Sequence, residues 1–299
     1  GDEQASRRTE ISDVRHFIEN PEAKVIYSEK SETYIEINNN LIFLKDGERF
    51  VWNSSRDDFN HIYLYNLKGQ QLKQLTTGNW DVIDFLGVDE KRNRIYFTAA
   101  AESPINSELY YVGLKDGKLT KLSTETGINS ANFNNTFDYY INTYSNAGRP
   151  PLITLHNYKG KLIRTLKDNQ SLIDHLKEYK MGGIEFFSFT TDQGIELNAY
   201  MIKPTDFDPA KKYPVLFNIY GGPGHNTVKN SWGGRGYLWN AMMAEQGIIV
   251  VSVDPRGTMY RGRKFLHSTY MQLGNLETQD LKASARYMAS QKYVDGSHI

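Results

Sequence analysis

The chain has 299 residues, in which 35 lysine and arginine residues balance 35 aspartate and glutamate residues. This length allows one large or two ordinary domains, and the balanced charge gives little support to nucleic-acid binding. The chain has no cysteine, which excludes disulfides and Cys-based zinc sites, and its longest apolar run, GIIVVSV at 247–253, is far too short to span a membrane.

A repeat of about 45 residues organises the first half of the chain. Strand-like runs begin at residues 49, 94 and 138 with the sequences RFVWNSS, RIYFTAA and DYYINTY. Each run is followed by a second pair of strand-like segments that turn at Lys-Gly or Asp-Gly, which is hairpin chemistry. Four short strands per period are typical of a β-propeller blade, and a β-sandwich with coincidental spacing is the alternative. We therefore predict a propeller portion over residues 1–168, with three blades and part of a fourth in residues 1–48.

The pattern changes near residue 170. Residues 169–183 contain Leu172, Ile173, Leu176 and Tyr179 at helical spacing, which predicts a connecting helix. A hairpin around 192–194 follows, and the apolar runs KKYPVLFNIY and GIIVVSV then alternate with helical segments. This alternation indicates an α/β domain over residues 184–299, with a parallel sheet covered on both faces.

Two loops follow the apolar strands of this second domain. They are YGGPGHNT at 220–227 and DPRGTMYRGRKF at 254–265. Open α/β sheets bind their ligands at the carboxyl ends of such strands, so we expect the functional site at these two loops.

Four stretches of the chain are distinctive: SSRDDFNHIYLYNL (54–67), PTDFDPAKKYPVLFNIYGGPG (204–224), VSVDPRGTMYRG (251–262) and LGNLETQDLKASARYM (273–288). Together they resemble the prolyl oligopeptidase family of serine peptidases, in its dipeptidyl peptidase IV-like branch. The resemblance implies a mixed fold, in which part of a β-propeller is followed by the N-terminal half of an α/β-hydrolase domain. It implies no cofactor. An oligopeptidase or acylaminoacyl peptidase branch is a further possibility, but the tyrosine before Gly-Gly-Pro favours the dipeptidyl peptidase side.

The resemblance gives a role to Tyr220. In the family, the tyrosine of this loop donates a hydrogen bond to the oxyanion of the tetrahedral intermediate. The alternative is a packed ring at a strand end whose hydroxyl only meets water. The neighbouring His225 is not expected to act as a base, Arg256 is expected to bond loop carbonyls, and Asp254 and Asp280 are expected to be caps or buried acceptors.

A serine hydrolase of this fold needs Gly-x-Ser-x-Gly, followed in chain order by Asp and His, and the chain contains no such motif. Ser231 and Ser297 lack its context. The resemblance implies that the nucleophile lies a few residues beyond Ile299, so we expect a central fragment of a longer peptidase that is inactive alone. The scattered histidines predict no metal site.

For the complete protein, the resemblance implies removal of N-terminal di- or tripeptides after proline, and a homodimer. The alternative is a noncatalytic propeller and hydrolase-like protein that binds peptides without the serine. The N-terminal GDEQASRRTE has no signal-like apolar segment, which leaves either a cytosolic chain or one that begins after processing. By resemblance alone, we expect a periplasmic or extracellular location.

Overall fold

In the computed structural model, residues 7–13 and 24–299 are described. Strands β1 (Arg7–Asp13) and β2 (Lys24–Ser31) form an antiparallel pair. The rest of the segment before Lys24, which was assigned to a partial fourth blade, lies outside the described residues.

Three four-stranded antiparallel sheets follow, and in each of them the strands are neighbours in chain order. The first contains β3 (Ile42–Phe43), β4 (Arg49–Asp57), β5 (Phe59–Asn66) and β6 (Gln71–Gln74). The second contains β7 (Val82–Asp89), β8 (Arg94–Ala99), β9 (Glu108–Gly113) and β10 (Leu119–Lys121). The third contains β11 (Ile128–Phe133), β12 (Tyr139–Asn146), β13 (Arg149–Asn157) and β14 (Leu162–Lys167). We call these sheets blades one, two and three, and they confirm the three predicted repeats.

The boundary of blade one differs from the prediction. Strand β3 pairs with β4 through Ile42 opposite Val51 and Phe43 opposite Phe50. Residues 42–43 therefore belong to the first complete blade and not to the partial blade that was predicted for residues 1–48. Two residues are too short for their alternation to reveal a strand in the sequence.

The Lys-Gly and Asp-Gly turns close the last hairpin of each blade, as their chemistry predicts. Gly69, Gly117 and Gly160 have φ values of +76°, +72° and +84°, which glycine adopts without strain. At Gly69 the requirement is also steric, because a Cβ atom there would lie 1.7 Å from the carbonyl oxygen of Ile26.

Apolar side chains of blades one and two form the main propeller core. Val51 and Ile62 of blade one pack in the same cluster as Phe97 and Tyr110 of blade two, and all four are buried. The alternation of inward and outward residues along each strand places these groups on the faces where neighbouring blades meet.

The second part of the chain is an α/β unit. It contains α1 (Gln170–Leu176), β15 (Ile184–Thr190), β16 (Glu196–Ile202), β17 (Val215–Phe217), α2 (Gly234–Ala244), β18 (Ile249–Asp254), α3 (Arg263–Leu266), a 3₁₀ helix (His267–Thr269) and α4 (Asn275–Ala289). Among the helices in the described part of the chain, none has both the length and the apolar character needed to cross a bilayer.

The sheet of this unit has the order β15-β16-β18-β17. Only β17 and β18 are parallel, whereas β15, β16 and β18 pair antiparallel, so the predicted parallel sheet is in fact mixed. Strand β17 has three residues, although the apolar run that predicted it has ten. Pro214 precedes it and cannot donate a ladder hydrogen bond, and the loop containing Tyr220 begins soon after it.

Candidate functional site

The candidate site lies in the loop that follows β17. Tyr220 is 61% exposed in this loop, and its ring centroid lies 4.7 Å from that of His225. The next residue, Gly221, has φ +74°, a conformation that permits the chain to turn directly after the tyrosine. The hydroxyl of Tyr220 is therefore presented at the carboxyl end of a parallel strand pair.

The loop between β18 and α3 holds the Tyr220 loop through its backbone. The Gly224 amide donates to the carbonyl of Gly257 at 2.8 Å. Asn226 accepts from the Met259 amide at 2.7 Å and donates to the Met259 carbonyl at 3.0 Å. Together these bonds fix two points of the Tyr220 loop to its neighbour.

Asp254 fixes a third point. Its buried carboxylate accepts from the Thr227 amide at 2.7 Å, the Thr227 hydroxyl at 2.9 Å and the Val228 amide at 3.2 Å. Burial raises the pKa of Asp254, and these hydrogen bonds oppose the rise because they favour the ionised form. Asp254 is thus a buried acceptor, as we expected.

Arg256 is bound differently from the prediction. It was expected to bond loop carbonyls, but its Nε donates to Asp280 at 3.0 Å and its guanidinium also donates to the Gln193 side chain at 2.8 Å. Asp280 also accepts from the Arg256 backbone amide at 2.8 Å. The pair therefore anchors the second loop to helix α4, with Asp280 as the buried acceptor that we expected.

Blade one and the residue directly before blade two contact the second loop. The Asp58 carbonyl accepts from the Arg263 amide at 2.5 Å, and its carboxylate accepts from the Lys264 amide at 2.7 Å. Asp81 accepts from the Asn60 amide at 2.6 Å and from the Gly262 amide at 3.0 Å. These carboxylates join the propeller to the α/β unit beside the candidate site.

A cavity of about 620 Å³ lies between the two units. One wall includes Tyr34 and Asn38 of the propeller side, and the opposite wall includes Gly224, Tyr260 and His267. The Tyr220 loop, through Gly224, is therefore adjacent to an open cavity large enough for part of a peptide.

The segment near Ile299 contains a combination that imitates a catalytic triad. His298 Nδ1 lies 2.8 Å from Asp295 Oδ2 and 3.1 Å from Ser297 Oγ. In a triad, the serine and the carboxylate contact opposite ring nitrogens, whereas both contact Nδ1 here. His298 is also 69% exposed, so these residues form a surface turn.

The remaining histidine candidate, His225, is not part of a catalytic group. Its ring contacts the Tyr220 ring, and among the described residues it has no hydrogen bond to a serine. Across those same ranges, no three His, Asp or Glu side chains are grouped so that they could hold a metal ion.

Sequence reasoning missed the residues that join the two units. Thr33 contacts His267, 234 positions away, and Asp81 contacts Gly262, 181 positions away. A single sequence has no local pattern that pairs residues at such separations. The positive φ of Asp58, +88°, was equally invisible.

Comparison with known proteins gives two family matches. The family described as "Dipeptidyl peptidase IV (DPP IV) N-terminal region" matches residues 3–151, and the "Prolyl oligopeptidase family" matches residues 237–299. The two matches fall on the blades and on the end of the α/β unit, respectively.

Individual proteins agree with these matches. The crystal structure of Porphyromonas gingivalis dipeptidyl peptidase 4 is 38% identical, with a TM-score of 0.89, and the match covers 94% of this chain and 40% of that one. Dipeptidyl peptidase 4 of Trichophyton equinum is 34% identical over 94% of this chain and 37% of its own length. Dipeptidyl peptidase 4 of Arthroderma otae is 34% identical over 84% of this chain and 33% of its own.

The chain thus spans well under half the length of these relatives. The structural match confirms the predicted fold class, part of a β-propeller followed by the start of an α/β-hydrolase domain. Both family matches and the relatives agree with the resemblance found in the sequence. The chain belongs to the dipeptidyl peptidase IV-like branch of the prolyl oligopeptidase family.

Proposed function

We propose that the complete protein containing this chain is a serine exopeptidase that removes N-terminal di- or tripeptides after proline. In this proposal Tyr220 donates a hydrogen bond to the oxyanion. Family membership supports the reaction type, and the exposed Tyr220 side chain, on a loop that lines the cavity through Gly224, supports its role. The serine, histidine and aspartate of the reaction are assigned to the remainder of the complete protein, because this chain has no serine elbow.

The observation that carries the proposal is the way the Tyr220 loop is held. Gly224, Asn226 and Thr227 are each tied to the loop or strand end at 254–259, while the Tyr220 side chain stays exposed. A donor on a fixed backbone needs little reorganisation when charge develops next to it. This arrangement supports a role for Tyr220 in transition-state stabilisation.

The chemical step follows from acyl transfer. The serine hydroxyl gives its proton to the histidine, its oxygen bonds to the scissile carbonyl carbon, and the carbonyl π electrons move to the carbonyl oxygen as an oxyanion. The histidine then gives that proton to the leaving amine. The Tyr220 hydroxyl donates to the oxyanion until the tetrahedral intermediate collapses and the amine leaves. Because the charge is absent from the ground state, the hydrogen bond accelerates the step rather than merely strengthening substrate binding.

The test is Tyr220→Phe in the complete protein, with Gly-Pro p-nitroanilide as substrate. Loss of one oxyanion donor costs about 10²- to 10³-fold in kcat, equivalent to about 3–4 kcal/mol. We expect this loss with a small change in KM, because the substrate is bound before charge develops. The matched control is Tyr139→Phe, since Tyr139 is also exposed, at 49%, but lies on blade three.

A Tyr220→Phe enzyme with unchanged kcat would refute the role of Tyr220. If the wild-type complete protein neither hydrolyses the substrate nor reacts with an organophosphonate, it is instead a noncatalytic binding protein. An active wild type that prefers another residue to proline would contradict the specificity but not the reaction type.

We also propose, from family membership alone, that the complete protein is a homodimer and is periplasmic or extracellular. Light scattering of the purified complete protein measures the first property. Fractionation of the source cells measures the second.

A further inference from the structure

A contact between the two units lies at one end of the cavity. The Thr33 hydroxyl is 2.6 Å from His267 Nδ1, and the Tyr34 ring stacks on the His267 ring with centroids 3.8 Å apart and planes inclined by 28°. Thr33 and Tyr34 follow β2 in the propeller part, whereas His267 begins the 3₁₀ helix of the α/β unit. The contact therefore bridges the units with both a hydrogen bond and a ring stack.

The segment that starts at this contact forms a wall of the cavity. Residues 34–41 have no regular secondary structure, and residues 34–40 all line the cavity. The far end of the wall is attached to blade one, because Asn38 donates to the Asn53 carbonyl at 3.2 Å and Asn40 donates to the Asn53 side chain at 2.9 Å. The near end of the wall rests on His267.

His267 is suited to a fixed, uncharged contact. It is 8% exposed, and burial together with the positive charge of Arg263 lowers its pKa to about 4, while Asp58 opposes the shift. The imidazole is therefore neutral at neutral pH. A neutral ring can form a hydrogen bond with the Thr33 hydroxyl and stack on the Tyr34 ring without the free-energy cost of burying a charge.

The other side of the 3₁₀ helix reaches the Tyr220 loop. Thr269 ends this helix, and a Cβ atom on Gly257 would lie 2.9 Å from Thr269 Oγ1 and 3.1 Å from Pro223 Cβ. The Gly257 carbonyl in turn accepts the Gly224 amide. A continuous series of packed residues therefore connects the cavity wall to the loop that carries Tyr220.

We infer that His267 is a positioning residue, which holds the wall at 34–40 in a fixed place opposite the Tyr220 loop. The catalytic consequence rests on the proposed function: a displaced wall alters how the part of a peptide beyond the scissile bond is bound. The Tyr220 loop itself stays in place, because Asp254 and Asn226 hold it through bonds that the contact does not include.

The test compares Thr33→Val with Thr33→Ser in the complete protein. Valine has the shape of threonine without the hydroxyl, whereas serine keeps the hydroxyl, and Thr33 itself does not line the cavity. Hydrogen exchange of residues 34–40 is the first readout, and we expect it to become faster in Thr33→Val only. This readout needs no activity, so it tests the inference even if the proposed function fails.

The second readout is kinetic. For a Gly-Pro peptide several residues long, we expect Thr33→Val to raise KM about fivefold, the factor expected from one lost hydrogen bond, with kcat unchanged. KM for Gly-Pro p-nitroanilide should stay within about twofold in the same variant, because that substrate has no residues beyond the scissile bond. Thr33→Ser should match the wild type in both assays.

Two outcomes would overturn the inference. One is unchanged hydrogen exchange at 34–40 in Thr33→Val. The other is an equal effect of Thr33→Val and Thr33→Ser, since the hydroxyl would then not be the group that matters. Absence of wild-type activity on Gly-Pro p-nitroanilide refutes the proposed function and leaves the exchange result to decide whether His267 holds the wall.

Discussion

Glu108 is a buried carboxyl whose ionisation should make the protein less stable as pH rises. It lies on β9, is 0% exposed and faces Ala99 of β8 in register. Neither of its carboxyl oxygens has a hydrogen-bond partner within the described residues. The nearby Lys121 is bound to Glu102 at 2.6 Å, so its charge is already paired.

The magnitude follows from the pKa of this carboxyl. Burial raises the pKa of Glu108 from 4.5 to about 7, with Lys121 opposing the shift. Below pH 4.5 the carboxyl is neutral in the folded and unfolded states alike. Between pH 4.5 and 7 the unfolded chain releases this proton and the folded chain keeps it, so stability falls as pH rises, by about 3 kcal/mol in total. Above pH 7 both states are ionised and the loss is complete.

The assay is thermal unfolding of the wild type and Glu108→Gln across pH 5–8, in the complete protein. Glutamine has the same shape and cannot ionise, so the Tm of the variant should increase relative to the Tm of the wild type as pH rises. A change of about 3 kcal/mol corresponds to roughly 5–10 °C in a domain of this size. Titrations elsewhere in the protein cancel when the two proteins are compared at each pH.

Glu125→Gln is the matched control, because Glu125 is exposed in the same region of the chain. Its Tm difference from the wild type should be small and independent of pH. If the Tm difference for Glu108→Gln is also constant from pH 5 to 8, Glu108 does not change its ionisation as described. The carboxyl would then have a partner that stabilises its charge.

Two further predictions concern the site. Asp280→Ala leaves the Arg256 guanidinium without its buried partner, so we expect denaturant unfolding to show a loss of about 3–5 kcal/mol in unfolding free energy. The double variant Asp280→Ala/Arg256→Met should recover part of this loss, because it also removes the unpaired charge. If the double variant recovers nothing, the two side chains do not form a direct pair. The pKa of His267 is lowered to about 4 in the folded protein, below the ordinary value of 6.5. As pH falls from 6.5 towards 4, His267 therefore takes up a proton in the unfolded chain but not in the folded one, so the free energy of unfolding decreases. His267→Gln should remove that part of the pH dependence of Tm, and an unchanged slope would contradict the neutral buried imidazole.

The strands and turns were largely predictable from local patterns. Gly69, Gly117 and Gly160 each sit where a hairpin needs φ above zero, so turn chemistry located three hairpins of the propeller portion. Strand β3 was not predicted, because two residues are too few to show a periodicity. The length of β17 was overestimated, because its apolar run continues into an irregular loop. Local rules locate elements more reliably than their ends.

The loops of the candidate site could be predicted from the sequence, but the contacts between distant residues that hold those loops could not. The motif pointed to Tyr220, whose proposed role is still a prediction, and it placed Asp254 and Asp280 as buried acceptors. Nothing local in the sequence indicates that Thr33 meets His267, or that Glu108 is buried without a partner. Both facts depend on how separate parts of the chain pack, which tertiary structure alone determines.

Two aspartates on the propeller side, Asp58 of blade one and Asp81 directly before β7, bind the second loop and limit how freely the units could be exchanged between relatives. Asp58 and Asp81 accept three backbone amides from Gly262, Arg263 and Lys264, and those amides belong to the other unit. Apart from proline, no substitution removes a backbone amide, so the carboxylates of Asp58 and Asp81 are the partners in these bonds that a change of side chain alters most directly. A chimera that brings a foreign segment 58–81 to this α/β unit would therefore have to supply acceptors at both positions. The recombination boundary in such a chimera should lie outside the sequence that contains them.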